Sequence, residues 1–433
     1  MTYLPFYPTR LGHSSWMVGN PSLGITSRLP VTRAQSHLAK GSASPPNHYR
    51  SYNFRSQPLQ MRNPKKMQER LLVAVILFCG VAAAQTSYQN RVTIFPGATW
   101  AKATPEQLGW ATTKLDEARR FFDTLPPASL FVVDHGNVVA EWGDSAMKIK
   151  ISSMRKSILS ALYGISAGKG GLDLDKSIGQ LGIDDDPPLT REEKRATVRM
   201  LLKARSGIYH SYVAGTPAMR EHMPSRGSHA PGTFWFYNNW DFNALGTIFE
   251  QELHLKIGDA FRDRIAGPTQ MQDFQVQDMY YLRSRPDSPE YERSRHPAYH
   301  FRMTARDLAR FGYLMLRGGT WNGTQIIPSS WVAESTRSYS DADGAGYGYL
   351  WWVNGFGLPV KGFSAQGALA KYVVVIPDRG LVVVYLNHAE FPDNASAMPA
   401  AELKALPTIS ESQMSHLLQL LVEAQQPTPV GKE

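Results

Sequence analysis

The chain has 433 residues, of which 42% are hydrophobic and 19% are charged, a composition typical of a globular protein with a large core. Its net charge of +9 comes from the first 70 residues, which hold ten Lys or Arg and one acid, so 36 residues of each sign remain in the rest of the chain. A neutral main part offers no electrostatic basis for nucleic-acid binding, and we predict no nucleic-acid partner.

The N-terminal part has the pattern of a displaced export signal. Residues 1–66 are rich in Ser, Pro, Arg and Asn without apolar periodicity, which predicts a start-site artefact or a disordered leader. A basic stretch that ends at Arg70, the apolar run 71–81 and three alanines before Gln85 predict a signal peptide at residues 67–84. The alternative is a membrane anchor, although the run has about half the length of a spanning helix. We therefore expect an exported protein, periplasmic or secreted, with no stable membrane span in the mature chain.

Cysteine usage and the absence of nucleotide motifs limit the chemistry. The only cysteine, Cys79, lies inside the predicted signal, so the mature chain has no thiol for disulfides, metal binding or nucleophilic attack. The twelve histidines show no spacing typical of metal ligands, and no phosphate loop or dinucleotide fingerprint is present. The sequence predicts an activity without cofactor or metal.

The mature chain begins and ends with elements of a sheet and its covering helices. Thr104–Leu125 has a capping Thr, a following Pro and helical apolar spacing, which predicts one helix. Residues 129–143 predict a hairpin. Near the C-terminus, "YGYLWWV", "KYVVVIPDRG" and "LVVVYLNH" predict strands, and residues 409–425 predict a last helix that packs with the first.

The segment between these ends has a different character. Residues 168–298 are rich in helix-forming stretches, Pro, Gly and charge, which predicts a mostly helical domain inserted into an α/β domain formed by 100–167 and 299–426. The predicted fold class is α/β (α+β): an antiparallel sheet flanked by helices from both chain ends, with an inserted helical domain.

Three serines precede a lysine by three residues, and only one stands at a helix start. Ser145 lies in a short polar link, and Ser166 lies where a helix ends. Ser153 and Lys156 fall in the first turn of "SMRKSILSALYGISAG", where spacing of three places both side chains on one face. The helix N-terminus directs free N–H groups and a positive dipole toward such a serine. An ordinary helix-capping role for Ser153 is the alternative.

A second pattern, YxN, occurs at Tyr88, Tyr237 and Tyr385. Tyr88 adjoins the cleavage site and Tyr385 lies within a strand, whereas Tyr237 and Asn239 precede a helix in the middle segment. The order of Ser153, Tyr237 and the later Gly367 is typical of penicillin-recognising serine hydrolases.

Several longer segments resemble the class C beta-lactamase-like serine hydrolase family, which also contains DD-peptidases, secreted esterases and aminohexanoate-dimer hydrolases. The resemblance extends in order from about residue 104 to 388. It is carried by "MRKSILSALYGISAGKGGLDLDKSI", "LLKARSGI", "PGTFWFYNNWDFNALG", "MTARDLARFGYLMLRGGTWNGTQIIPSSWV", "YGYLWW" and "VVVIPDRGLVVVYLNH". It implies a beta-lactamase/transpeptidase-like fold with the active site between its two parts.

The resemblance also implies roles for individual residues. Ser153 would attack a carbonyl, with Lys156 kept neutral and Tyr237 as its partner, and the choice of base between these two stays open. Asn239 would hold Lys156 or a substrate amide. The backbone N–H groups of Ser153 and Ala368 would form the oxyanion hole. Arg155, next to the lysine, is expected to face solvent.

The third family motif departs from its usual form. Ala365-Gln366-Gly367 retains the glycine but lacks the cation and hydroxyl that would meet a substrate carboxylate. This favours a small ester or amide over a beta-lactam or a DD-peptidase substrate, while a catalytically idle binding or sensor protein is the third interpretation. Gln366, Tyr347 and Trp351 are candidate substrate contacts, and core packing is the alternative for the two aromatics.

Overall fold

A nine-stranded sheet lies at the centre of the fold. The computed structural model describes residues 93–425, and the predicted leader at 1–66 and signal peptide at 67–84, with Cys79, lie outside them. The strands are β1 Ala101–Lys102, β2 Ala128–Asp134, β3 Asn137–Trp142, β4 Ile149–Lys150, β5 Met279–Leu282, β6 Ala298–Met303, β7 Thr320–Trp321, β8 Thr324–Gln325, β9 Ser340–Ala342, β10 Ala345–Tyr347, β11 Trp352–Val353, β12 Phe363–Gly367, β13 Lys371–Ile376 and β14 Leu381–Asn387.

The strand order in the large sheet is β1-β3-β2-β14-β13-β12-β11-β10-β9. Its pairs are antiparallel except for the parallel pair of β1 and β3. Strands from both ends of the chain meet where β14 pairs with β2. A second sheet of three strands, β4-β6-β5, includes the short strand that leads into the Ser153 turn.

Helices cover both faces of the large sheet. The α-helices are α1 Thr112–Phe122, α2 Arg155–Ala167, α3 Val198–Leu202, α4 Pro217–Glu221, α5 Asn239–Leu253, α6 Ile257–Phe261, α7 Ala305–Leu316, α8 Ser329–Ser335, α9 Ala400–Ala405 and α10 Glu411–Ala424. Single turns of 3-10 or π helix cover Ser152–Met154, Glu193–Arg195, Arg262–Ala266, Val276–Asp278, Glu290–Glu292, Pro377–Arg379 and Ala395–Ala397.

The central strands are buried on both faces, which explains their continuous apolar sequences. On β14, Val383 and Tyr385 belong to the core formed with α1 and α10, whereas Val382 and Val384 belong to the core formed with α7. The core formed with α7 continues through α2 and α5 into the middle segment. The predicted packing of the first and last helices on one face of an antiparallel sheet is confirmed.

Two local predictions need correction. The first helix begins at Thr112 and not near Thr104, because Gly109 takes a left-handed conformation (φ +67°) and ends the capped turn before it. The stretch "YGYLWWV" is two short strands separated by a loop, β10 and β11. The middle segment contains strand β5 besides its helices. The division into two domains at residues 168 and 298 stays a prediction.

Candidate active site

Ser153 lies in a tight turn between strand β4 and helix α2. Ser152 takes a left-handed backbone conformation (φ +51°), and Ser152–Met154 form one 3-10 turn before the α-helix starts at Arg155. Lys156 follows one turn later on the same face, and its Nζ lies 2.7 Å from Ser153 Oγ. The predicted spacing therefore brings the hydroxyl and the amine into hydrogen-bond contact.

The two competing serines have other partners. Ser145 Oγ donates to Glu141, and the lysine three residues after it, Lys148, forms an ion pair with Asp278 at 2.6 Å. Ser166 is buried near the end of α2 and accepts a hydrogen bond from Arg264 at 2.8 Å. Among the described residues, no hydrogen bond joins either serine to the lysine three positions after it.

Tyr237 joins Ser153 and Lys156 from the segment that leads into α5. Its Oη lies 2.6 Å from Lys156 Nζ, so the three polar groups form one chain. The ring stacks on Trp352 with centroids 5.7 Å apart and meets Tyr347 edge-on at 6.2 Å. These contacts fix the ring, which is 5% exposed, and thereby the position of its hydroxyl.

The surroundings of Lys156 favour its neutral form. The side chain is buried, and its Nζ lies 4.6 Å and 4.8 Å from the ring centroids of Tyr237 and Phe242. Burial holds the pKa of Lys156 well below its usual range, and the positive charge of Arg155 lowers it further. An amine that has lost its proton accepts one from a serine.

Arg155 contradicts the expectation that it faces solvent. It is 2% exposed, its guanidinium lies 4.3 Å from the centroid of Tyr299, and its Nη2 donates to Asn243 Oδ1 at 3.2 Å. Its Nη1 has no hydrogen-bond partner among the described residues. A burial this complete depends on β6 packing against α2, which local sequence does not reveal.

Asn239 is the first residue of α5, two positions after Tyr237. Its Nδ2 donates to the carbonyl oxygen of Ala214 at 3.1 Å, while its buried Oδ1 has no hydrogen-bond partner among residues 93–425. No hydrogen bond joins it to Lys156 in the described structure, where Nζ contacts Ser153 and Tyr237. Its placement near the site therefore comes from the backbone next to Tyr237.

The third motif lies on β12, beside the turn that carries Ser153. A Cβ on Gly367 would lie 2.5 Å from the carbonyl oxygen of Ile151, so the position requires glycine because of the protein's own backbone. Ala368 follows in a half-buried turn, and Gln366 is half-buried with its Nε2 donating to Ser364 Oγ at 3.0 Å.

Lys371 and Lys361 are two lysines near this strand whose charge would have to replace the cation that the third motif lacks. Lys371 is fully buried, and its Nζ donates to the carbonyl oxygens of Ala389 at 2.6 Å and Ala368 at 3.3 Å. Burial lowers the pKa of Lys371 to about 7. Lys361 is exposed at the opposite end of the strand.

The aromatic side chains near Tyr237 differ from the predicted substrate contacts. Trp351 is fully buried against Phe311 and Phe363, so its expected substrate contact is wrong and its side chain belongs to the core. Tyr347 is 1% exposed and meets the Tyr237 ring edge-on, so its side chain also packs in the core. Trp352, which the sequence reasoning did not single out, is the half-buried residue that stacks on Tyr237.

Residues 93–425 contain neither a membrane-spanning helix nor a cluster of metal ligands. No helix in that range is both long and apolar enough to cross a membrane. Within the same residues, no three side chains of His, Cys, Asp or Glu converge in a way that would hold a metal ion.

Comparisons with known proteins identify the family and similar folds. Residues 118–406 match the family model described as Beta-lactamase. The fold is similar to a putative 6-aminohexanoate-dimer hydrolase from Bacillus anthracis (TM-score 0.52, 18% identity, 72% of this chain and 83% of that chain). It is also similar to a putative beta-lactamase from Bacteroides dorei (TM-score 0.52, 16% identity, 73% and 99%). An uncharacterized protein of Alkalihalophilus pseudofirmus is 23% identical over 290 residues, which are 59% of this chain and 82% of the relative.

Proposed function

Because the chain belongs to the beta-lactamase family of penicillin-recognising serine hydrolases, we propose that it is an exported serine hydrolase that cleaves a small ester or amide through an acyl-enzyme on Ser153. One observation carries the proposal: Lys156 Nζ lies 2.7 Å from Ser153 Oγ and 2.6 Å from Tyr237 Oη. A serine in contact with an amine whose pKa is strongly lowered is an activated nucleophile.

The reaction needs one proton acceptor and one proton donor. Ser153 Oγ bonds to the substrate carbonyl carbon while its proton passes to the Lys156–Tyr237 pair. The bond to the leaving alcohol or amine then breaks, and that group departs with a proton from the pair through Tyr237. A water molecule attacks the acyl carbonyl in the second half, which releases the acid and restores the serine hydroxyl.

Negative charge on the carbonyl oxygen needs N–H donors aimed at it. We assign this role to the backbone N–H groups of Ser153 and Ala368, which would come from the two segments that meet at Gly367 and Ile151. Ser153 stands just before the N-terminus of α2, so the helix dipole adds to the same stabilisation.

The substrate class follows from charge and from aromatic surface. Ala365 and Gln366 bring no cation to the third motif, and the Lys371 ammonium is held by two backbone carbonyls. A substrate carboxylate would therefore lack the charge-assisted partner that penicillins and DD-peptidase substrates require. The stacked rings of Trp352 and Tyr237 favour a neutral, apolar group beside the reacting bond.

The decisive experiment is labelling with a fluorophosphonate probe followed by peptide mapping. Covalent modification of Ser153, together with hydrolysis of short aryl esters, is the expected result. Absence of labelling and of turnover would indicate a binding or sensor protein with the same fold. Equal turnover of penicillin and ester would indicate a beta-lactamase instead.

Export is proposed from the sequence at 67–84, outside the described residues. Expression from Met67 in a bacterium should give protein in the periplasm or medium that begins at or near Gln85. Full-length cytosolic protein that retains residues 71–81 would contradict this part of the proposal.

A further inference from the structure

We propose that residues 389–393, here called the strap, hold the two oxyanion-hole segments at a fixed separation, with Lys371 and Glu390 as positioning residues. The strap follows β14 and precedes the 3-10 turn Ala395–Ala397. The inference rests on the proposed function, because it concerns the N–H groups of Ser153 and Ala368. It adds residues that neither touch the substrate nor belong to the SxxK, YxN and third motifs.

The first connection joins the strap to the Ala368 side. Lys371 pairs with Gly367 in the β12–β13 hairpin, and its Nζ bonds both the Ala368 carbonyl inside the hairpin turn and the Ala389 carbonyl of the strap. The side chain is fully buried, so water does not compete for these contacts. One ammonium group thus ties the turn to the strap.

The turn held in this way has an unfavourable backbone. Leu369 and Ala370 both take left-handed conformations, with φ of +60° and +54°. Side chains with a Cβ disfavour this region, so two such residues in succession need contacts that impose it. Lys371 provides such a contact, because its Nζ bonds the Ala368 carbonyl at the start of the turn and is held at the same time by the Ala389 carbonyl.

The second connection joins the strap to the Ser153 side. Glu390 accepts a hydrogen bond from the backbone N–H of Lys150 at 3.0 Å and forms a two-point ion pair with Arg302 at 2.8 Å for each contact. Lys150 ends strand β4, three residues before Ser153. The neighbouring residues Ala389 and Glu390 therefore hold one oxyanion segment each.

A third set of contacts fixes the other end of the strap to the same strand. Lys150 Nζ donates to Asp393 at 2.5 Å and to the carbonyl oxygen of Phe391 at 3.2 Å. Tyr280 Oη donates to Asp393 at 3.2 Å. The strap is thus bonded along its length to β4 and β5, and it transmits the position of β4 to the hairpin turn.

The test compares Lys371→Met and Glu390→Gln with the wild-type enzyme on an aryl ester. Each change should lower kcat by about tenfold to a hundredfold and leave KM within about twofold, because displaced donors stabilise the transition state and not the bound ester. An aryl boronic acid, which occupies the oxyanion site, should bind more weakly by the same factor as kcat falls. Lys361→Met and Glu402→Gln alter exposed charges of the same types and should change neither value.

A rescue separates positioning from general stability. Leu369→Gly with Ala370→Gly lets the turn keep its left-handed conformations without the strain that a Cβ causes, so this double substitution should raise kcat of Lys371→Met at least about threefold. If Lys371→Met does not fold, Glu390→Gln decides alone. Unchanged kcat and boronate affinity in folded variants would overturn the inference, even where Ser153 is labelled by the fluorophosphonate. Absence of that labelling in the wild type would instead defeat the proposed function.

Discussion

Gly367 and Ile151 bring β12 and the Ser153 turn into close backbone contact, since a Cβ on Gly367 would lie 2.5 Å from the Ile151 carbonyl oxygen. Gly367→Ala should therefore push the strand away from the turn, lower ester turnover at least about a hundredfold and lower the melting temperature. Gly97→Ala is the matched control, because its added Cβ would meet no atom closer than 4.0 Å. Full activity in Gly367→Ala would show that the two segments need not touch.

Ser153→Ala should abolish fluorophosphonate labelling and reduce ester turnover by about four orders of magnitude or more, as expected for loss of a nucleophile. Ser145→Ala and Ser166→Ala serve as controls, because each removes a hydroxyl whose partner lies outside the candidate site. Steady-state kinetics and intact-protein mass after labelling provide the two measurements. Activity of Ser153→Ala near the wild-type level would refute the site assignment.

We predict that Arg155 affects the pH dependence of ester turnover through Lys156. Its positive charge helps to lower the pKa of Lys156, and only the neutral amine accepts the serine proton, so activity rises with pH through that pKa. Arg155→Met should raise the pKa of Lys156, move the acidic limb of kcat/KM to higher pH and leave the alkaline plateau within a fewfold of wild type. Arg264→Met, which removes a donor to Ser166 on the same helix, should not move the limb. A shift in both variants, or in neither, would contradict this role of Arg155.

Lys371 should leave a signature in the free energy of unfolding. Its pKa is lowered to about 7 in the folded protein, whereas an exposed lysine titrates near 10.4, so folding releases a proton between these values. Stability should rise with pH across this window by up to about 1.4 kcal/mol per pH unit, and this slope vanishes below pH 7, where both states are protonated. Because the pKa of Lys156 is also lowered, Lys371→Met should reduce this slope in denaturant titrations at several pH values and not abolish it, while Lys361→Met keeps the wild-type slope. Equal slopes in wild type and Lys371→Met would disprove the assignment.

The third motif should discriminate against carboxylates. Wild-type kcat/KM for a penicillin should lie at least about a hundredfold below that for a short aryl ester, equivalent to about 2.7 kcal/mol of transition-state binding. Gln366→Lys places a cation at a half-buried position of this strand and should reduce the difference in kcat/KM between the ester and the penicillin. Lys361→Met, at an exposed position, should leave it unchanged. Similar rates on both substrates in the wild type would show that carboxylate recognition lies elsewhere.

Periodic patterns predicted the elements of the fold well where burial is regular. The apolar runs of β13 and β14 and the spacing of α10 follow from contacts that repeat along a strand or helix. The start of α1 was misplaced because a capped turn at Thr104 has the same local chemistry as a helix start. Only the left-handed Gly109 and the packing that follows it exclude a continuous helix.

Local spacing also determined part of the candidate site. Ser153 and Lys156 contact each other because residues three apart share a helix face, and this holds for any helix that begins there. The sequence could rank Ser153 above Ser145 and Ser166 on helix position alone. Local spacing could not show that Lys156 contacts Tyr237, which lies 81 residues later in the chain. That contact depends on how the middle segment folds.

Side-chain environment was decided by tertiary structure. Successive residues of a strand or loop can face opposite sides, so sequence alone did not show that Trp351 would be buried and Trp352 would stack on Tyr237. Arg155 and Lys371 are buried cations, and sequence composition favours an exposed position for both. Burial of a charge depends on which distant segments surround it, and those segments also lower the pKa of Lys156 and Lys371. The sequence alone thus determined which residue types form the candidate site. Their protonation states and the distances between their side chains depend on packing between segments far apart in sequence.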